Sequence, residues 1–358
     1  MKRTLLAMAT LTAFAGVASA QSSVTIGGIV DLAARSVKNG SLGEIKTLSP
    51  EGMQSNRLTF RGVEDLGGGM RAGFWLEAGM NPDVGGGTAA VGPNAAAGGL
   101  TFQRRSTLSL LGKFGEVRLG RDYTPTFWNQ TLFDPFNTVG VAAQSNLMAG
   151  PGMGTPLNSG ATTLVRANNS IGYFLPGGLG GVYGQVMVAA GEGATGNKYM
   201  GGRIGYAAGP VNVAFAYGIT DKTGAMIDDL TVWNVAGSYK FSFMTIIGQY
   251  HHHTYSNLDF KNAVAAATVP FGASTLKFSY GKSGGNFRSA TQLGLGYQYD
   301  LSKRTALYAN YGRVDNDPGT QFTASGSGVA PQAITPANRG RQSGFLSTGY
   351  EFGVRHSF

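Results

Sequence analysis

The sequence predicts an all-β chain, a 16-stranded antiparallel transmembrane β-barrel. Three observations carry that expectation. Apolar and polar residues alternate with period two in one segment after another. Tight and long connections take turns between those segments. No stretch beyond the N-terminal segment offers 18 consecutive apolar residues, so helical spans are excluded. Composition points the same way: 57 glycines among 358 residues, only 13% charged residues and no cysteine. Many short strands with tight turns need such a mixture, and the missing cysteines rule out disulfides and thiol chemistry.

The N-terminal segment is read as an export signal, residues 1–20. Lys2 and Arg3 precede the uncharged apolar run Leu5 to Val17, and Ala18-Ser19-Ala20 has the small-x-small form of a cleavage site. Cleavage after Ala20 would leave residues 21–358 and lower the net charge from +9 to +7, since Lys2 and Arg3 leave with the signal. The remaining cations are dilute and form no polybasic tract, so no nucleic-acid partner is expected.

The strands follow in order. Val24, Ile26, Val30 and Leu32 alternate with Thr25, Gly27, Asp31 and Arg35. Val211, Val213, Phe215, Tyr217 and Ile219 alternate with Asn212, Ala214, Ala216, Gly218 and Thr220. Leu276, Phe278 and Tyr280 form one such face, and Leu293, Leu295, Tyr297, Tyr299 and Leu301 another. At the end, Leu346, Tyr350, Phe352, Val354 and Phe358 alternate with Ser347, Glu351, Arg355 and Ser357. Aromatics such as Tyr239, Phe241, Tyr299 and Phe352 gather near strand ends, as in interfacial girdles.

Seven short turns are expected at 64–70, 112–115, 176–180, 208–210, 240–243, 270–273 and 301–303. Eight longer segments lie between them, at 36–55, 79–103, 122–165, 191–198, 220–229, 254–258, 283–289 and 314–343. Fifteen connections imply sixteen strands. A barrel of that size leaves an aqueous lumen, and its inward face here is Thr, Ser, Gly, Asn, Gln and charge. A water-filled pore for small hydrophilic solutes and ions follows. A secreted sandwich would instead pack its apolar faces on each other.

Several segments resemble the trimeric general porins of beta-proteobacteria and neisseriae. The carriers are Ser55-Asn56-Arg57-Leu58-Thr59-Phe60-Arg61-Gly62-Val63-Glu64-Asp65-Leu66-Gly67, the run from Phe114-Gly115-Glu116-Val117-Arg118 through Leu119-Gly120-Arg121-Asp122-Tyr123-Thr124-Pro125, then Arg166-Ala167-Asn168-Asn169-Ser170-Ile171, and the terminal Gly353-Val354-Arg355-His356-Ser357-Phe358. The resemblance implies an outer-membrane homotrimer embedded in outer-membrane lipids, with the third long loop, about 122–165, folded into each lumen as a constriction. It also implies that Phe358 is an assembly signal read by the barrel-assembly machinery. No cofactor or metal is expected.

Alternation then places the pore residues. Leu58 and Phe60 point outward, so Arg57 and Arg61 point inward, and Arg71, Arg118 and Arg166 follow by the same parity. Arg105 is inward if Leu108 and Leu110 face lipid, but Arg104 is the alternative and a bulge would exchange them. The acids assigned to the constriction loop are Asp122 and Asp134, expected to face this basic wall. Asp31, Glu64 and Glu77 are wall acids with which the arginines could pair. An excess of guanidinium over carboxylate biases a pore weakly toward anions. A substrate-specific channel for a small anionic or sugar solute is the alternative. Most aromatics fall on the outward parity, with Trp75, Tyr308, Trp128 and Phe133 as exceptions, which leaves little for a sugar slide.

Enzyme chemistry finds no support: there are four histidines and no Gly-x-Ser-x-Gly elbow. His251-His252-His253 cannot converge on one metal from a strand, because His252 points away from the other two. A polar rim of the barrel is the expected role for these three.

Overall fold

The computed structural model describes residues 23–87, 99–148, 159, 161–221, 228–286, 289–325 and 343–358. The expected signal, residues 1–20, lies outside them, as do parts of the connections 79–103, 122–165, 220–229, 283–289 and 314–343. The strands are β1 (Ser23–Asn39), β2 in two pieces (Glu44–Pro50 and Arg57–Gly67), β3 (Met70–Asn81), β4 (Arg105–Gly112), β5 (Gly115–Tyr123), β6 (Arg166–Phe174), β7 (Val182–Ala189) and β8 (Tyr199–Ala208). They continue as β9 (Val211–Thr220), β10 (Leu230–Lys240), β11 (Thr245–Tyr255), β12 (Leu258–Phe271), β13 (Ser274–Gly285), β14 (Ala290–Asp300), β15 (Thr305–Asn316) and β16 (Leu346–Ser357).

Each strand pairs antiparallel with the next, and β1 closes on β16 from Ile29↔Ser357 to Asn39↔Ser347. The two pieces of β2 share one edge of β1: Glu44–Pro50 lies opposite residues 32–38, and Arg57–Gly67 opposite residues 23–29. They are one barrel strand interrupted at residues 51–56, so the closed barrel has sixteen strands. A two-residue bridge, Gly86–Gly87, adds to the end of β3. The last residue completes the closure, since the Phe358 and Gly28 backbones exchange hydrogen bonds of 3.1 Å in both directions.

All seven expected short turns fall between strands that pair. Two expected long segments are shorter than the sequence suggests. Residues 36–55 are mostly strand, with a tight reversal at Gly40–Gly43, and 254–258 is a two-residue turn at Ser256 and Asn257. The strands here run past the apolar belt. In that region the outward apolar alternation fades, and the ladder's backbone hydrogen bonds together with inward packing, as of Tyr255 and Leu258, hold the strand.

The alternation separates outside from inside. In β9, Val213, Phe215 and Tyr217 are exposed while Ala214, Ala216 and Gly218 are buried beneath the loop inside. Tyr350, Phe352 and Val354 in β16 face outward in the same way. No helix among the described residues is long and apolar enough to cross a membrane.

The connection after β5 turns into the lumen. It begins with α1 (Pro125–Leu132), which has Pro at the first turn where a missing N–H costs nothing. Asn129 donates to Asn234 Oδ1 (2.7 Å), Arg203 donates to Asn129 Oδ1 (3.1 Å), and Phe133 packs on Ala214, Ala236, Ile247 and Ala266. The loop then crosses β13–β16. Gln144 donates to Ser279 Oγ (2.9 Å), and Gln292 donates to the Ala143 carbonyl (2.9 Å). This approach needs glycines on the wall: a Cβ on Gly281 would collide with Gln144, one on Gly294 with Ala142, and one on Gly312 or Gly349 with Val141.

Arg35 and Glu351 anchor the loop's far end. They are cross-strand partners on β1 and β16, 2.8 Å apart, with side chains 1% and 0% exposed. Glu351 also accepts from Val141 N (3.2 Å) and Asn310 Nδ2 (2.8 Å), and Arg35 donates to the carbonyls of Ser325, Pro50 and Glu51. Asp31 fixes the break in β2 by accepting from Met53 N (2.8 Å), Gln54 N (2.6 Å) and the Tyr308 hydroxyl.

Two outcomes are expected. Glu351→Ala leaves Arg35 buried without its counter-ion and should cost about 3–5 kcal/mol, read as a lower urea midpoint for unfolding of the refolded barrel; an unchanged midpoint would contradict the anchoring role. Gly312→Val should displace the lumen loop and leave the barrel folded. The sign is an altered, noisier single-channel conductance with unchanged strand content by circular dichroism.

Candidate functional site

With the loop resting on β7–β16, the opposite wall of β2–β6 faces open lumen. Strand pleating turns alternate residues of these neighbouring strands into it. Arg57, Thr59 and Arg61 come from β2, Trp75 and Glu77 from β3, Arg105 and Thr107 from β4, and Glu116, Arg118 and Asp122 from β5. The register sets Arg61 opposite Trp75, and Glu77 between Thr59 and Arg105.

The charges interlock within this wall. Glu77 receives Arg104 Nε at 2.7 Å and faces Arg57 Nε at 4.0 Å. Asp122 receives Arg118 Nη1 at 2.5 Å and lies 3.9 Å from Arg105 Nε. Arg118 Nε also donates to Glu116 at 2.8 Å, and its guanidinium lies 3.9 Å over the Phe174 ring. Arg166 donates to the Arg104 carbonyl (2.7 Å) and the Tyr123 hydroxyl (2.9 Å), and Arg104 reaches that hydroxyl at 3.2 Å. Arg61 makes no ion pair among the described residues; its guanidinium lies 5.4 Å over Trp75, and that of Arg105 lies 4.4 Å over the same ring. Four of the six guanidiniums (Arg57, Arg104, Arg105, Arg118) thus share three carboxylates (Glu77, Glu116, Asp122), while Arg61 and Arg166 make no ion pair among the described residues.

The structure gathers five of the expected arginines: Arg57, Arg61, Arg105, Arg118 and Arg166. It does not gather Arg71, which stands just after the short β2–β3 turn, six residues and roughly 20 Å along the strand from Glu77. Arg104 and Arg105 both reach lumen-side partners. Arg104 precedes the first residue of β4, so strand parity does not govern it, and its side chain bends in to Glu77.

The two expected loop acids do not stand across the pore from the arginines. Asp122 is still in β5, which runs to Tyr123, and it lies inside the basic wall. Alternation along β5 puts its carboxylate on the same face as Arg118, four residues back, while the extra residue of the irregularity beside it lies on β6, where Asn169 has φ +53°. Asp134 points into its own loop, accepting from Phe136 N (2.9 Å) and Thr138 N (3.2 Å), and is 4% exposed. Sequence reasoning misses Tyr123 as a member of the cluster, offers Arg104 only as an alternative to Arg105, and names Glu77 only as a wall acid. Glu116 shares parity with Arg118 and is within reach of the same argument.

Of the three neighbouring histidines, His251 and His253 are buried on the inner face, and His252 is on the other face against Asp259 at 2.7 Å. The inner pair sits beneath the covered wall, not at a polar rim. Among the described residues no group of three or more His, Asp and Glu could hold a metal ion.

The model of the Gram-negative porin family matches residues 6–319. The chain belongs to that family. The porin is 33% identical to outer membrane porin protein 32 of Delftia acidovorans over 377 residues, covering 100% of both chains. It is 28% identical to an outer membrane porin protein of Bordetella pertussis over 376 residues, covering 86% of this chain and 93% of that one. Among solved structures, the anion-selective porin from Comamonas acidovorans superposes with a TM-score of 0.78 at 31% identity, covering 94% of this chain and 100% of the other. OmpT of Vibrio cholerae in its trimer form shares the fold, with a TM-score of 0.60 at 13% identity, covering 94% and 99%. This porin is therefore an outer-membrane channel and not an enzyme.

Burial lifts the Asp134 carboxyl to about 6, against the opposing pull of the Phe136 and Thr138 amides. A carboxyl that holds its proton more tightly in the folded loop adds stability that is full below its unfolded value and is lost as pH rises through about 6. Wild-type stability relative to Asp134→Asn should therefore rise between pH 7 and pH 5. Thermal transitions of both proteins at the two pH values check this; parallel curves would contradict it.

Proposed function

We propose that this porin is a passive, weakly anion-selective diffusion channel for small hydrophilic solutes and ions. The observation that carries the reading is the surplus of guanidinium over carboxylate on one continuous lumen wall, which the inward-folded loop leaves uncovered. Arginine remains charged across any relevant pH, and a hydrated anion can pass from one fork to the next without being held. The described residues offer no element that would couple transport to an energy source.

Arg57, Arg61, Arg105, Arg118 and Arg166, joined by Arg104, form the selective wall in this reading, and Arg71 adds positive potential at the short-turn entrance. Asp122 tempers that potential from within the wall, and Asp134 shapes the loop. Export by a cleaved signal at residues 1–20, recognition of Phe358 by the barrel-assembly machinery, and a homotrimer in outer-membrane lipids complete the proposal. The trimer finds support in the trimer form of the structurally similar OmpT.

The test is the zero-current potential of the refolded porin in a planar bilayer under a KCl gradient. A potential favouring chloride, with conductance in steps of three, is expected. Arg57→Gln with Arg105→Gln should lower the chloride preference, and Asp122→Asn should raise it. Cation preference in the wild type would overturn the proposal.

A further inference from the structure

Toward the short-turn rim, next to the arginine cluster, the wall of β1–β5 forms a recess of about 420 Å³. Its two halves differ in chemistry. One half is apolar: Trp75, Val63 and Leu111 surround Gly73, which has no side chain to fill the space between them. The other is cationic, formed by Arg61, Arg105 and Arg118. These cations are not equally free. Arg118 is engaged by Glu116 at 2.8 Å and Asp122 at 2.5 Å, whereas Arg105 is 3.9 Å from Asp122. Arg61 is exposed and rests on Trp75 without a carboxylate.

A concave, half-apolar site with a few convergent polar groups takes a solute with the same division. Chloride would use only the cations and leave the hollow beside Trp75 wet. A sugar would leave Arg61 without a counter-charge and Arg105 with only the distant Asp122 carboxylate at 3.9 Å. Glu116, fixed by Arg118 and by Ser109 at 2.7 Å, sets one negative charge at the edge of the recess and so disfavours a second carboxylate. We propose that the recess is a binding site for aromatic monocarboxylates, the carboxylate on Arg61 and Arg105 and the ring in the hollow of Trp75, Val63 and Leu111. This rests on the anion-selective reading of the same wall and adds the substrate class that the wall retains longest.

The experiment measures interruption of single-channel chloride current by benzoate, acetate and phthalate added on the short-turn side. Benzoate should interrupt the current at concentrations roughly tenfold below acetate, since burying one ring is worth about 1.4 kcal/mol or more here. Phthalate, with its second carboxylate, should be weaker than benzoate. Trp75→Ala and Leu111→Ser should each bring benzoate toward acetate, and Arg61→Gln should weaken both. Leu111→Ser carries the test if Trp75→Ala does not fold. Equal action of benzoate and acetate on wild-type channels that still prefer chloride overturns the recess alone. Loss of chloride preference in the wild type overturns the selectivity reading beneath it.

Discussion

The lumen is organised by a single buried ion pair, Arg35 with Glu351. Burying two charges is unfavourable unless their geometry is good and their remaining hydrogen-bonding capacity is met. Both conditions hold. Arg35 spends its other donors on the carbonyls of Ser325, Pro50 and Glu51, and Glu351 accepts from Asn310 and the Val141 amide. The partners belong to the first and last strands, so the pair exists only once the barrel has closed. It then seats two inward segments at once, the interruption in β2 and the crossing part of the lumen loop. Barrel closure and loop placement are thereby one event, and Asp31 with Tyr308 reinforces it from the same face.

That anchor determines which half of the barrel the loop covers. The loop can lie only where the wall leaves room, and room is supplied by glycine and alanine on β9, β10 and β13–β16. Gly312 and Gly349 admit Val141, and Ala214 with Ala236 admits Phe133. The β2–β6 wall carries long charged side chains on its inner face, which would obstruct a loop but suit a hydrated path. Volume and charge are thus segregated around the circumference. The loop occupies the small-residue half, and solutes are left the arginine half.

Local pattern makes the barrel legible before any coordinates. Period-two alternation and the spacing of turns are properties of ten-residue stretches, so sixteen strands, seven short turns and the inward parity of Arg57, Arg61 and Arg118 can be read directly. The differences arise where that pattern stops. Arg104 lies one residue before β4, where parity has no force. Asp122 reads as loop because the apolar alternation ends earlier than the strand does. Asp134 makes a local turn, with its carboxylate bound to amides two and four residues on, and such a role competes with exposure to the pore. The pairing of Arg35 with Glu351 spans 316 residues. Parity can place both side chains inward, but not set them against each other.

The position of the acids matters for how the pore handles ions. Glu77, Glu116 and Asp122 stand within the basic wall and each braces guanidiniums, so the carboxylates hold the arginines extended at fixed positions. Tyr123 does the same for Arg104 and Arg166 through one shared hydroxyl. Six guanidiniums on adjacent strands would otherwise repel and splay into the channel. Charge interactions in this lumen are screened over about 8 Å at physiological ionic strength, so a solute senses mainly the wall beside it. Along the braced wall that field alternates between paired groups and the free Arg61, with a net positive surplus. On the proposed reading such a surface draws small inorganic anions along without trapping them, because no site offers an isolated, fully desolvated cation.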